Sequence, residues 1–264
     1  MAKTNLKGKI VLITGASAGI GAATAMAFAE EGSRLLLAAR RASKLAEVAA
    51  AALANGAQAV HSVELDVRDR KAVERAIAEL PPEWAVIDIL VNNAGLSRGM
   101  DKLYAGKIED WEEMIDTNVK GLLYVSRAVI PGMVARNRGH IVNLGSLAGE
   151  MAYPNGAVYC GTKAAAHFIN DGLREDVLGT PIRVTSINPG MAETEFSQVR
   201  YRGDTGRAAK VYEGVTPLTG EDVADAILWA VTRPEHVNIA RVSLSCVQQA
   251  NTLLVHRETL PTKA

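Results

Sequence analysis

The chain has 264 residues, 48% of them hydrophobic and 22% charged, with 29 Lys and Arg set against 29 Asp and Glu. So large an apolar share excludes disorder, and zero net charge removes the positive surplus with which nucleic-acid and membrane-surface binders meet phosphate. One compact domain of this length buries about three quarters of its unfolded surface, so neither disulfides nor a structural metal is needed.

The N-terminal residues run straight into a strand, with no signal-peptide apolar region. Apolar runs predict strands over 9–14, 34–39, 59–65, 88–92, 140–144, 182–187 and 241–245. They are rich in Val, Ile and Leu without strict alternation, as strands buried on both faces are. Helical periodicity fills 19–31, 41–54, 69–80, 109–136, 156–178 and 221–232 between them. Asp69 is the expected N-cap of the third helix, and Pro131-Gly132 is expected to bend or end the fourth before Arg136. The alternation predicts an α/β fold, a single-domain Rossmann-like doubly wound parallel sheet of about seven strands with helices on both faces, spanning 1–264. Only 190–215 breaks the rhythm. It follows the sixth strand, where open α/β sheets bind ligands, and reads as a substrate lid or else as a plain surface excursion.

No stretch reaches the ~18 uninterrupted apolar residues of a membrane helix, and Pro261-Thr262-Lys263-Ala264 is no retention or peroxisomal address. Cys160 and Cys246 form no CxxC pair, and the five histidines show neither HExxH spacing nor close pairing. No metal site is expected, the thiols read as small buried or half-buried side chains, and a reducing, cytoplasmic location follows.

The first strand ends in Thr14-Gly15-Ala16-Ser17-Ala18-Gly19-Ile20-Gly21, a GxxxGxG turn that opens the first helix. Small residues there let the backbone approach a pyrophosphate while the helix N-terminus offers free N–H groups; tight packing alone is the other reason for such glycines. The second strand ends in Arg40-Arg41, with no acid until Glu47. Two guanidiniums pair with a 2′-phosphate and gain nothing from a bare hydroxyl, so NADP(H) is expected over NAD(H). A solvated basic helix start, the alternative, would set cations against the dipole.

Tyr159 and Lys163 stand four residues apart on the fifth helix, projecting from one face. A phenol of ordinary pKa near 10 serves at neutral pH only when a nearby cation stabilises its phenolate, and a lysine one turn away supplies one. Ser146 follows the fifth strand, its hydroxyl emerging at the carboxyl edge of the sheet, where it could hold a substrate oxygen or cap a turn. Asn118 lies in a helix, where an inward amide can hold a water or bend the turn. Asp66-Val67 closes the third strand and Asn92-Asn93-Ala94-Gly95 the fourth, both along the expected groove.

With these motifs in this order, and with Pro189-Gly190 followed by Thr194, the chain resembles the short-chain dehydrogenase/reductase family over nearly its whole length. The resemblance implies a catalytic set of Asn118, Ser146, Tyr159 and Lys163. In it the tyrosine is the acid-base residue, the lysine lowers its pKa and binds the nicotinamide ribose, the serine orients the substrate oxygen, and the asparagine supports a water-linked proton relay. It also implies cofactor contacts from Gly15, Ser17, Gly19, Ile20 and Gly21, from Arg40 and Arg41, and from Val67, Ala94, Gly95, Tyr159 and Lys163. Asp66 would meet the adenine, Asn93 the ribose side, and Pro189, Gly190 and Thr194 the nicotinamide amide. Residues 193–197, Val199-Arg200, Gly203-Asp204 and 234–239 look like the NADP-dependent 3-hydroxy acid dehydrogenase branch, which includes serine and allo-threonine dehydrogenases and small-aldehyde reductases.

That likeness implies a small-molecule substrate, no nucleic-acid or membrane partner, and pairing of the long helices in a homo-tetramer or homo-dimer. Arg200, Arg202 and Arg207 could pair with a substrate carboxylate or sulfonate, or form a solvated loop balanced by acids. The tail 247–264 departs from the pattern. A reductase of bulkier ketones and a non-catalytic NADP(H) sensor on the same fold are the rival readings; the intact Ser146-Tyr159-Lys163 set favours an enzyme.

Overall fold

The computed structural model describes residues 4–258. All seven predicted strands join one sheet: β1 (Ile10–Thr14), β2 (Arg34–Ala39), β3 (Ala59–Glu64), β4 (Ile89–Asn92), β5 (His140–Leu144), β6 (Arg183–Pro189) and β7 (Arg241–Leu244). Their order is β3-β2-β1-β4-β5-β6-β7, and every pairing is parallel. Successive side chains of β1 enter opposite layers. Val11 and Ile13 join Phe28, Leu35, Leu37, Val223 and Ile227 on one face, while Ile10 and Leu12 join Leu36, Val125, Val129 and Met133 on the other. That two-sided burial explains why the strands read as unbroken apolar runs.

On the first face lie α1 (Gly19–Glu30), α2 (Ala42–Ala54) and α9 (Gly220–Val231), the last begun by a reciprocal capping box between Thr219 and Asp222. On the second, α3 (Arg70–Ala78) starts where expected, its Asp69 cap accepting from the Ala72 N–H at 3.0 Å. The long helix expected at 109–136 is divided. α4 (Ile108–Ile115) leads into a π-helical turn, Asp116–Gly121, and then α5 (Leu122–Ala135). Pro131 lies inside α5, which continues to Ala135, so the irregularity falls well before the proline. α6 (Ala157–Asp176) carries the Tyr-Lys pair. The segment 190–215 holds two short helices, α7 (Phe196–Arg200) and α8 (Thr205–Lys210).

Among the described residues no helix is long and apolar enough to cross a membrane and no cluster of metal-ligand side chains occurs. Cys160 and Cys246 are buried and unpaired.

Candidate active site

The direction of winding reverses between β1 and β4, and a cleft of about 850 Å³ opens at the carboxyl ends of the strands there. The turn after β1 forms its floor. Gly15 has φ +66°, and a Cβ on it would come within 2.9 Å of the Ala94 Cα and the Asn93 amide. Gly21 sits in the first turn of α1, where any Cβ would overlap the Gly15 carbonyl. Asn93 fixes the turn from β4 by donating to the Thr14 carbonyl at 2.9 Å and the Gly15 carbonyl at 3.2 Å. The N-cap of α1, Ala18, offers no side-chain cap and the first turn holds no acid, which leaves the leading N–H groups free for an anion.

Gly15, Ser17, Gly19, Ile20, Arg40, Arg41, Asp66, Val67, Asn93, Ala94 and Gly95 all line this cleft, as do Ser146, Tyr159, Lys163, Pro189, Gly190 and Thr194. Two expected residues do not. Gly21 lies behind the turn, where its role is close packing. Asn118 sits in the π-helical turn, buried behind Gly95. Its Oδ1 accepts from the Leu96 N–H at 2.8 Å, and its Nδ2 donates to the Leu96 carbonyl at 2.8 Å and to Thr162 Oγ1 at 3.0 Å. Of the two uses foreseen for that amide, shaping the turn is the one the hydrogen bonds serve.

At the β2 end Arg41 donates from Nε and Nη2 to Ser17 Oγ at 3.3 and 3.2 Å. Its Nη1 pairs with Glu195 at 2.8 Å, and Lys44 reaches the other oxygen of that carboxylate at 3.1 Å. Arg40 is more open, its nearest acid being Glu113 at 4.0 Å. Burial pushes the Asp66 carboxyl up, but hydrogen bonds and charge from Arg68 outweigh it and hold the group below its usual range.

Ser146 directly follows β5 and caps a single 3₁₀ turn, accepting from the Ala148 N–H at 3.1 Å while its hydroxyl donates to the Pro189 carbonyl at 3.3 Å. Burial raises the Tyr159 phenol above its ordinary pKa, opposed by the charge of Arg200 and a hydrogen bond with Ser146. The same burial lowers Lys163 to about 8, and its Nζ donates to the Leu144 carbonyl at 2.8 Å. The charge of Arg200 thus acts on the phenol, while the Lys163 ammonium donates to the strand carbonyl one helical turn away.

The three lid arginines separate. Arg202 is bound to Asp110 outside the cleft, and Arg207 lies at the rim over the Tyr201 ring, 4.6 Å from its centroid. Arg200 points inward, its Cζ 5.0, 5.3 and 6.0 Å from the ring centroids of Phe196, Tyr159 and Tyr153. Nη2 donates to Tyr153 Oη at 3.0 Å, while Nε is buried without a partner among the described residues. Arg98 and Gly99 anchor this helix by donating to the Val199 and Arg200 carbonyls.

Sequence reasoning passed over Tyr153, Lys44, Arg98 and the tail. Residues 259–264 lie outside the described residues, but the rest of the tail folds back over the cleft. Gln249 accepts from the Met191 N–H at 2.7 Å, and Gln248 donates to the carbonyls of Gly214, His256 and Glu258. Gln249, Thr252, Val255 and Arg257 line the wall. The paired glutamines were the one signal in a stretch otherwise without periodicity.

Residues 9–204 match the family described as short chain dehydrogenase. The NADP-dependent 3-hydroxy acid dehydrogenase YdfG of Shigella flexneri is 47% identical over 251 residues, 94% of this chain and 100% of that protein. An NADP-dependent 3-hydroxy acid dehydrogenase of Schizosaccharomyces pombe is 43% identical over 256 residues, 97% of this chain and 99% of its own. Among solved structures, a closed form of serine dehydrogenase complexed with NADP+ superposes with a TM-score of 0.89 at 47% identity, covering 94% of this chain and 100% of that one.

Proposed function

Because the chain belongs to the short-chain dehydrogenase family, we propose that it is an NADP-dependent oxidoreductase that interconverts a small 3-hydroxy acid, such as serine or allo-threonine, with the corresponding carbonyl compound. The observation that carries the choice of an acid is Arg200, a cation with an unpartnered buried Nε held over the Tyr159 ring. A carboxylate one carbon removed from the reacting centre reaches Arg200 while the substrate oxygen reaches Tyr159 and Ser146.

The cleft fits NADP(H): a glycine cradle that any Cβ would fill, free N–H groups at α1, and arginines beside Ser17 at the far end. When bound, that cofactor supplies or receives the hydride. Tyr159 gives its proton to the carbonyl oxygen in reduction and takes the hydroxyl proton back in oxidation, while Ser146 hydrogen-bonds the same oxygen. A phenol raised by burial is fully protonated at neutral pH, as the reductive direction requires. Lys163, cationic below about pH 8, adds positive charge to the same wall and stands ready for the nicotinamide ribose. Arg40 and Arg41 take the 2′-phosphate, the backbone of 189–194 borders the nicotinamide end, and Phe196 and Tyr153 keep water from the reacting atoms.

The residues 190–215 act as the lid over this substrate. Two unpaired buried thiols support a reducing, cytoplasmic setting. Exposed Ile108, Ile115, Leu123 and Phe168 on α4, α5 and α6 support a homo-dimer or homo-tetramer, which light scattering will size.

Arg200→Met tests the reading directly. A charge-assisted hydrogen bond contributes about 1.5–3 kcal/mol, so the preference in kcat/KM for the acid over its neutral methyl ester should fall roughly 10- to 100-fold, beyond any loss the two share through Tyr159. Equal losses for acid and ester would overturn it.

A further inference from the structure

Glu195 carries a consequence for how the cofactor and the lid are linked. Its carboxylate leaves the start of α7, crosses to α2, and is held there by Arg41 at 2.8 Å and Lys44 at 3.1 Å. Arg41 is no free surface arginine: two more of its N–H groups are spent on Ser17 in the glycine turn. One carboxylate thus bridges the cations beside the dinucleotide turn to the helix that covers Tyr159. The neighbouring Thr194 reinforces the bridge, its Cβ lying 3.1 Å from where a Cβ on Gly19 would stand. Within the short helix, Phe196 packs tilted against Tyr159 with ring centroids 5.6 Å apart, and Arg200 at the far end lies over the same ring.

We propose that Glu195 is an internal competitor for the 2′-phosphate site, a clasp that the phosphate of NADP(H) unfastens from Arg41 and Lys44 and so frees the start of the lid. The inference rests on the reading of Arg41 as a phosphate ligand. A phosphate monoester carries about −1.5 to −2 charge at pH 7 and three acceptor oxygens, against one charge and two oxygens on Glu195. The phosphate therefore wins the cations, and the displaced carboxylate, left beside a second anion, is repelled with residues 194–200 attached. A cofactor without the 2′-phosphate has nothing to offer Arg41 and Lys44, so it leaves the clasp fastened. Discrimination between the two dinucleotides then includes a conformational part besides direct attraction, and the ligand for Lys44 is assigned along with that for Arg41.

The binding consequence is quantitative. A fastened fraction must be undone before the phosphate binds, which weakens apparent affinity by that population ratio. For a pair of half-exposed ion pairs the ratio is about three to ten. The test uses adenosine 2′,5′-bisphosphate, which has the 2′-phosphate but no nicotinamide, with adenosine 5′-monophosphate as the control, titrated by calorimetry against the full chain and Glu195→Gln. The variant should bind the bisphosphate about three- to tenfold more tightly and the monophosphate equally well. In the parent protein, the bisphosphate should speed hydrogen exchange of the amides in 194–200 and the monophosphate should not; in Glu195→Gln exchange should be fast from the start. Unchanged or weaker bisphosphate binding in the variant, or slowed exchange in the parent, overturns the clasp. A parent protein that does not prefer bisphosphate to monophosphate instead overturns the phosphate-site reading beneath it.

Discussion

Replacing Lys163 with methionine should make the protein more stable while abolishing its activity. Lys163 is 8% exposed, and burial lowers its ammonium from an ordinary 10.5 to about 8. Each tenfold change in proton affinity corresponds to about 1.4 kcal/mol, so keeping this charge inside the fold at pH 7 costs about 3 kcal/mol. Methionine has a similar reach and no charge, but it gives up the 2.8 Å hydrogen bond to the Leu144 carbonyl, a loss of about 1–2 kcal/mol. The net gain is about 1–2 kcal/mol, or a Tm about 2–6 °C higher in a chain of this size.

The pH dependence separates this account from generic stabilisation. Below pH 8 the lysine is charged in both the folded and unfolded chains, and the burial penalty is complete. Between 8 and 10.5 the folded protein sheds the proton while the unfolded chain keeps it, so the penalty fades as pH rises. Thermal unfolding of parent and Lys163→Met at pH 7 and pH 10 is the assay: a clear gap at the first and a much smaller or reversed one at the second. A lower Tm for the variant at pH 7, or a gap indifferent to pH, would refute the reasoning.

Two further outcomes follow from the same side chains and their neighbours. Tyr159→Phe removes the proton donor without disturbing the glycine turn, so turnover should fall by roughly two orders of magnitude or more while NADPH binding, read by fluorescence, stays within about twofold; near-normal turnover is the contrary result. His140 and His167 are buried, and burial holds both imidazoles below their ordinary value. The unfolded chain binds those protons first, so Tm should fall as pH drops below about 6.5. His140→Gln should flatten that fall, and a slope as steep as the parent's would count against it.

The sheet was legible because its inner strands are buried on both sides, which writes runs such as Val11-Leu12-Ile13 and Leu35-Leu36-Leu37 directly into the sequence, whereas the edge strands β3 and β7 are only partly buried. The cleft's floor was legible for a related reason: at Gly15 and Gly21 backbone proximity leaves no room for a side chain. What escaped depends on partners far along the chain. The π-helical turn is held by Asn118 against Leu96 and by Gly121 against Val67, where a Cβ would lie 2.6 Å from a Val67 methyl; helical periodicity over 109–136 contains neither contact. Helices of five and six residues in 190–215 are too short to show a period. Arg200, Arg202 and Arg207 are equivalent as letters, and only Tyr153, Asp110 and Tyr201 tell them apart. Helical spacing likewise puts Tyr159 and Lys163 on one face but does not specify that the ammonium donates to the Leu144 carbonyl.

The π-helical turn before α5 also acts as a counter. Six residues, Asp116–Gly121, fill a stretch whose wider loop accommodates more residues per turn than an α-helix does. Removing one of them, such as the exposed Lys120, would let the backbone relax to ordinary helical winding. Because the wide turn lags regular α winding by about one residue's 100°, everything beyond it would keep its phase relative to α4. Val125, Val129 and Met133 would stay buried against the sheet and Leu123 and Val134 would stay exposed. The same deletion inside α5 would instead rotate the rest of that helix by about 100° and scramble the core facing β4 and β5. A deletion in this turn and a deletion one turn later therefore belong to different orders of severity.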